Sequence, residues 1–244
     1  MNTVADSAAE RVAVRVAALE PTSLAASLDA HGFATTGPLL DADDCAALAG
    51  AYDDDSRFRS RVVMARHGFG RGEYRYFAYP LPPIVQALRE SMYTALAPIA
   101  VAWHTRMALE AAFPPNLDGQ LARCHAAGQS RPTPLLLRYD EGDHNCLHQD
   151  VYGEQVFPLQ ATVLLSKPGL DFDGGEFVLV EQRPRMQSRV HVVPLRQGEA
   201  VFFGVRHRPV RGSRGDYRVA MRHGVSTVRQ GRRHTLGVIF HDAA

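Results

Sequence analysis

The pattern of apolar and polar positions divides the chain near its middle. Residues 8–30 are rich in Ala, Leu and Val and predict helix. After the connector HGFATTGPLL, a further helix is expected from Asp41 to Tyr52, with Asp41 or Asp43 as its N-cap. Residues 57–83 mix arginine, glycine and aromatics without a period of either kind, which predicts irregular strands and loops. A longer helical stretch is expected from Ile84 to about Ala112, broken near Pro98, where proline removes a backbone donor and crowds the preceding turn, and stopped by Pro114 and Pro115.

The second half changes character. LLLRY, QATVLLS, GEFVLVEQ, VHVVPL, AVFFGV, RVAMRHGVS and HTLGVIF are short β-rich or alternating runs, with Gly174, Gly175 and Gly198 where turns are needed. Strands following a helical half predict an α+β chain, a β-sandwich or barrel backed by N-terminal helices. With 244 residues, 45% of them hydrophobic, the expectation is a single domain over 1–244. Its helical, lid-forming part would cover about 1–130 and its β-rich core about 131–244.

Charge adds little to this picture at first. Lys plus Arg total 27 against 26 for Asp plus Glu, so a formal net charge of +1 makes no global case for a polyanionic partner. The kind of cation is more telling, because Lys167 is the only lysine. Guanidinium suits paired recognition of carboxylate and phosphate, although a GC-rich genome produces the same bias. Cys45, Cys124 and Cys146 form no CxxC pair and are odd in number, which fits a reducing compartment. With no basic leader and no run approaching the ~20 apolar residues of a membrane span, a cytoplasmic protein with no membrane partner is expected.

Chemistry concentrates in two segments. In CLHQD, His148 and Asp150 flank one residue, so in extended chain an imidazole and a carboxylate project from one face. That is two-thirds of the two-His-one-carboxylate facial triad, which leaves coordination positions open for a chelating substrate and oxygen. Near the C-terminus, His223 precedes Arg233 in the pattern His-x-Val-x-x-Val-x-x-Gly-x-Arg. If the two lie on neighbouring strands joined at Gln230-Gly231, the histidine completes the triad and the guanidinium clamps a distal carboxylate. Among competing histidines, His144 lies in a polar turn, His207 on a strand edge, His234 alternates away from Arg233, and His241 lies beyond the strand end.

From about Leu135 to Phe240, the order of strand, HxD, GGEFVL, VPLRQGEAVFF, distal His and GxR resembles the 2-oxoglutarate/Fe(II) oxygenases. The resemblance implies a double-stranded β-helix (jelly-roll, cupin-like) core, with Fe(II), 2-oxoglutarate and O2 as cofactor and cosubstrates. It makes His148, Asp150 and His223 the catalytic metal ligands and Arg233 the anchor of the 2-oxoglutarate C5 carboxylate. Tyr139, in RYDEGD, stands where prolyl-hydroxylase-like members often place a tyrosine on that carboxylate. Segments such as FRSRVVMARHGFGRGEYRYFAYPLPP and NCLHQDVYGEQVFPLQ further resemble a bacterial branch described as oxidative demethylases of damaged DNA bases.

That likeness implies a DNA-repair dioxygenase acting on alkylated single-stranded or flipped-base DNA, with release of formaldehyde, succinate and CO2. Such an enzyme needs cations for phosphates and flat groups for the base. Arg66, Arg71, Tyr74 and Tyr76 are the candidates from the Arg-aromatic segment. The same mixture equally suits aromatics packing the helical layer onto the barrel with arginines in water. Arg183, Arg185 and Arg189, and the run Arg206 to Arg218, either flank the cavity mouth or sit in solvated turns. Two alternatives remain open: a protein, amino-acid or small-molecule hydroxylase of prolyl type, and a non-catalytic ligand-binding barrel, against which the intact triad argues.

Overall fold

The structure, a computed structural model, describes the backbone of residues 3–110 and 112–244, with side chains from Ser7 onward. The Ala-rich start forms two helices, α1 (Thr3–Ala17) and α2 (Pro21–His31). Glu20 divides them, its carboxylate accepting from the Ser23 N–H at 2.9 Å ahead of Pro21 in the first turn. The connector read from HGFATTGPLL is instead a strand, β1 (Phe33–Pro38). α3 (Ala42–Gly50) opens at Asp41 with a capping box, the Asp41 carboxylate accepting from the Asp44 N–H at 2.9 Å. The Arg-aromatic segment supplies β2 (Phe58–Val63), β3 (Gly70–Arg71) and β4 (Glu73–Phe77).

α4 (Pro83–Arg106) runs unbroken through Pro98, against expectation. Pro98 and Thr94 both lie on its exposed side, so water can reach the carbonyl that proline leaves unbonded. On the opposite side Leu96, Ile99, Ala100 and Trp103 are buried and hold the helix in place. α5 (Leu117–Ala126), capped by Asn116, was not expected from the sequence. The β-rich half contains β5 (Leu135–Tyr139), β6 (His144–His148), β7 (Leu159–Leu164), β8 (Phe172–Gly174), β9 (Phe177–Gln182) and β10 (Arg189–Val193). After these come β11 (Glu199–Gly204), β12 (His207–Gly212), β13 (Gly215–Val225), β14 (Val228–Gly231) and β15 (Arg233–Val238).

A seven-stranded sheet in the order β1-β11-β7-β15-β5-β4-β2 faces a second one ordered β10-β9-β13-β6-β3, with β12 hairpinned onto β13 and β14 paired with β8. All the pairings between these strands are antiparallel. This is an α+β jelly roll, a double-stranded β-helix backed by helices. Period-two alternation sorts the side chains. Ala200 and Phe202 of β11 point out to Val12, Leu96 and Trp103 of the helical layer, whereas Val201 and Phe203 point in towards Phe177, Leu179 and Met221. Strands from before residue 130 enter both sheets, so the helical and β-rich parts interlock.

Candidate metal centre and cosubstrate pocket

A cavity of about 280 Å³ opens between the two sheets. At one end, His148 closes β6 directly opposite His223 of β13, with ring centroids 4.2 Å apart. Gly224 allows this approach, since a Cβ there would lie 2.7 Å from the Asn145 carbonyl oxygen. Asp150, just beyond β6, turns in between the two rings. Its Oδ1 is 3.6 Å from His148 Nε2 and its Oδ2 is 3.3 Å from His223 Nε2. One donor atom from each residue lies within 4.8 Å of the others, and together they could hold a metal ion.

The tautomer of His148 follows from its partner. Nδ1 lies 2.8 Å from the Cys146 carbonyl, which can only accept, so Nδ1 carries a proton and Nε2 is the nitrogen turned to Asp150. The Asp150 carboxylate is held from both sides, with the Tyr152 hydroxyl donating to Oδ1 at 2.5 Å and Gln160 Nε2 donating to Oδ2 at 2.8 Å. Burial opposes its ionisation, but the hydrogen bond from His223 and the charge of the two imidazoles outweigh that and keep it well below the ordinary carboxylate range. Burial, and then the charge of His148, lowers the pKa of His223. Gln149, between the two candidate ligands, donates to the Met221 carbonyl at 2.7 Å and ties the segment to β13.

The cavity is also lined by Arg233 on β15, paired in register with Tyr139 on β5. Only 2% of Arg233 is exposed, yet its one hydrogen bond is from Nη1 to Thr235 Oγ1 at 3.5 Å, and Nε has no partner among the described residues. The Tyr139 and Phe172 rings flank the guanidinium at 5.6 and 5.8 Å. Burial pushes its pKa down to about 10. Gly175 leaves room for the side chain, because a Cβ there would meet Arg233 Cδ at 2.9 Å. The fully buried Tyr139 hydroxyl accepts from Asn145 Nδ2 at 3.3 Å, and burial raises its pKa.

His223 and Arg233 do not sit on neighbouring strands, as the spacing suggested. They lie on opposite sheets with β14 between them in sequence, and both line the cavity. Guanidinium and imidazole thereby line one chamber from its two sheets. Tyr74 lines that cavity, while Tyr76 is buried behind it against Tyr152. Arg66 and Arg71 are exposed and line no part of it, Arg71 lying 3.8 Å from Asp143. His144, His207, His234 and His241 are absent from the lining. Gln160, Tyr152 and Asn145 were not identified from the sequence. Gln160 and Thr162 left one trace, polar residues at alternate positions of the otherwise apolar run QATVLL.

The donor set fits iron: two imidazole nitrogens and a carboxylate lie within 4.8 Å of one another. The jelly roll is similar to solved oxygenase structures. One is an oxidoreductase of the 2OG-Fe(II) oxygenase family from Burkholderia pseudomallei, with a TM-score of 0.55, 16% identity, and coverage of 93% of this chain and 94% of that one. Another is the 2-oxoglutarate-dependent epimerase SnoN of nogalamycin biosynthesis, with a TM-score of 0.52, 15% identity, and 89% and 80% coverage. A Pseudomonas putida prolyl-4-hydroxylase matches with a TM-score of 0.50, 16% identity, and 92% and 100% coverage.

The fold is that of these oxygenases, and the donor set could hold the Fe(II) that such enzymes use together with 2-oxoglutarate and O2. Residues 72–243 match the model of the Oxygenase-NA family, described as oxygenases catalysing oxidative methylation of damaged DNA, and the chain belongs to that family. It is also 52% identical over 168 residues to an uncharacterized protein of Mycobacterium tuberculosis, a match that covers 69% of this chain and 72% of that protein.

Proposed function

We propose that His148, Asp150 and His223 hold the Fe(II), that Arg233 and Tyr139 receive the far carboxylate of 2-oxoglutarate, and that the enzyme oxidatively demethylates alkylated bases in single-stranded or flipped-out DNA. The observation that carries the cosubstrate assignment is Arg233. A buried cation costs several kcal/mol to desolvate unless an anion meets it, and among the described residues no carboxylate lies within ion-pair distance of it. A dicarboxylate spanning the cavity would neutralise it and place its other end at the three donor atoms.

Bound iron and cosubstrate supply an oxidant for an unactivated C–H bond, at the expense of 2-oxoglutarate, which becomes succinate and CO2. This chain orients and encloses. Tyr152 and Gln160 fix the plane of the Asp150 carboxylate, the Cys146 carbonyl holds the proton on His148 Nδ1, and Thr235 steadies the guanidinium. Leu135, Leu137, Phe177 and Val225 make the chamber walls apolar. Hydroxylation of an N-methyl carbon gives a hemiaminal that collapses to the amine and formaldehyde, so oxidation removes the methyl group. Support for nucleic acid comes from the family description and from the flat surfaces of Tyr74 and Phe69 along the cavity. The whole chain acts as one catalytic domain, since β1 to β4 complete the two sheets. Its cysteines, all free, fit a reducing cytoplasm.

The deciding experiment is mass spectrometry of a single-stranded oligonucleotide bearing 1-methyladenine or 3-methylcytosine, incubated with Fe(II), 2-oxoglutarate and air, with succinate followed in the same tube. Methyl loss matched by succinate establishes the reading. Succinate without methyl loss keeps the oxygenase and redirects the search to peptide or small-molecule hydroxylation.

A further inference from the structure

Behind the aromatic wall of the cavity lies a second cluster. The guanidinium of Arg59 sits 4.5 Å over the centre of the Tyr76 ring, and its Nε donates to the Pro132 carbonyl at 2.9 Å. Those contacts fix the head group while using one of its five N–H donors. The carbonyl belongs to the residue after Arg131, whose own side chain is exposed. The Arg131 backbone is locked to Ala243 by reciprocal hydrogen bonds of 3.0 and 2.8 Å. Burial lowers the pKa of Arg59, the Tyr76 hydroxyl opposes that, and the charge of Arg131 lowers it further.

Among the described residues, neither arginine has a carboxylate within ion-pair distance. The acid in their field, Asp242, is already engaged by Arg89 at 2.8 Å and His125 at 3.0 Å. The charge of Asp242 is therefore already committed to Arg89 and His125. A guanidinium held in place with N–H donors unused and no carboxylate of its own is a ready anion site. The wall connects this cluster to the candidate iron ligands. Tyr76 shares a hydrogen bond with Tyr152, their rings meet edge-on at 6.2 Å, and the Tyr152 hydroxyl reaches Asp150.

We infer that Arg59 and Arg131 form a phosphate-binding site that grips the backbone of the nucleic-acid substrate beside the base held in the cavity. The inference rests on the nucleic-acid reading above and names where that substrate's charge is met. Paired guanidinium forks match phosphate oxygens, and the adjoining tyrosines give the flat surface that accompanies such grooves in single-strand binders.

The test uses the full chain loaded with Fe(II) and 2-oxoglutarate under argon, with an unmodified single-stranded oligothymidylate as probe. Arg59→Ala and Arg131→Ala should each lower the slope of log affinity against log salt by about 0.7, and the double variant by about 1.4. In the unsubstituted protein, the oligonucleotide should protect both arginines from phenylglyoxal, read by peptide mass spectrometry, which needs no variant to fold. An unchanged salt slope without protection overturns the site, as does absence of salt-dependent binding by the unsubstituted protein. Protection by inorganic pyrophosphate without demethylation of a methylated oligonucleotide would keep the anion site and reject the nucleic-acid reading. Demethylation with both arginines unprotected would do the reverse.

Discussion

Arg208 and Arg233 are both 2% exposed, and their surroundings treat them in opposite ways. Arg208, on β12 beneath α2, is ion-paired with the equally buried Glu181, and its Nη1 donates to the Asp29 carbonyl at 2.8 Å. Arg233 has one long bond to a threonine hydroxyl. Desolvation costs are alike, but only Arg208 has them offset within the fold. A buried guanidinium complete with its own acid is architecture, whereas one left bare beside a cavity is where the proposed cosubstrate carboxylate would be met.

That contrast can be broken in order of effect. Arg208→Ala leaves the buried Glu181 with only the partly exposed Arg183 at 2.5 Å to answer its charge and should cost about 3 kcal/mol in urea unfolding; a loss under about 1 kcal/mol would mean the pair contributes little. Arg233→Ala removes an unneutralised charge, so unfolding free energy should hold or rise, while apparent 2-oxoglutarate affinity falls by about 2–4 kcal/mol, roughly 30- to 1000-fold. Equal 2-oxoglutarate binding in this variant would relocate the anchor.

Histidine shows a third way to manage burial, which is to give up the proton. Burial, and then the charge of Arg89, pushes His241 down to about 4, so it is neutral in the fold. The unfolded chain binds that proton from about pH 6.5 downward. The stabilisation is therefore complete above pH 6.5 and is lost progressively as pH falls to about 4, by roughly 3 kcal/mol. Urea midpoints across this window should fall, and His241→Gln should make the fall shallower while His234, which burial also pushes down to about 4, keeps its share; a flat profile in the unsubstituted chain would contradict the assignment. The smallest effect expected is at the clamp on Asp150. Tyr152→Phe or Gln160→Leu should weaken metal binding about 10- to 100-fold, as measured by titration with Mn(II), without unfolding the chain. Unchanged affinity in both would leave the carboxylate oriented by its backbone alone.

What the sequence disclosed follows the range of the forces involved. The strands of the second half and the Asp41 cap were legible because alternation and capping act over a few residues. His148 and Asp150 were legible as a pair for the same reason. β1 was not, because FATTGP has no alternation of its own and becomes a strand through pairing with Phe202 and Phe203 some 170 residues away. Pro98 misled because propensity is local while the burial of Trp103 and its neighbours is not. The separation of His223 and Arg233 onto opposite sheets required knowing that β14 leaves to pair with β8. The acids that neutralise Arg208 and Arg89 lie 27 and 153 residues away, so no local pattern could separate these arginines from the bare Arg233.

The pairing of β1 with β11 bears on how the protein can be handled. The family match starts at residue 72, and a chain shortened to that point would lose β1, β2, β3 and three helices. β11, AVFF along most of its length, would then present a row of unpaired backbone donors and acceptors at an open apolar margin. Such a margin templates strand addition between copies. The segment before α3 thus acts as a built-in guard against aggregation, and a fragment cut to residues 72–243 should precipitate although it still holds all the candidate iron ligands.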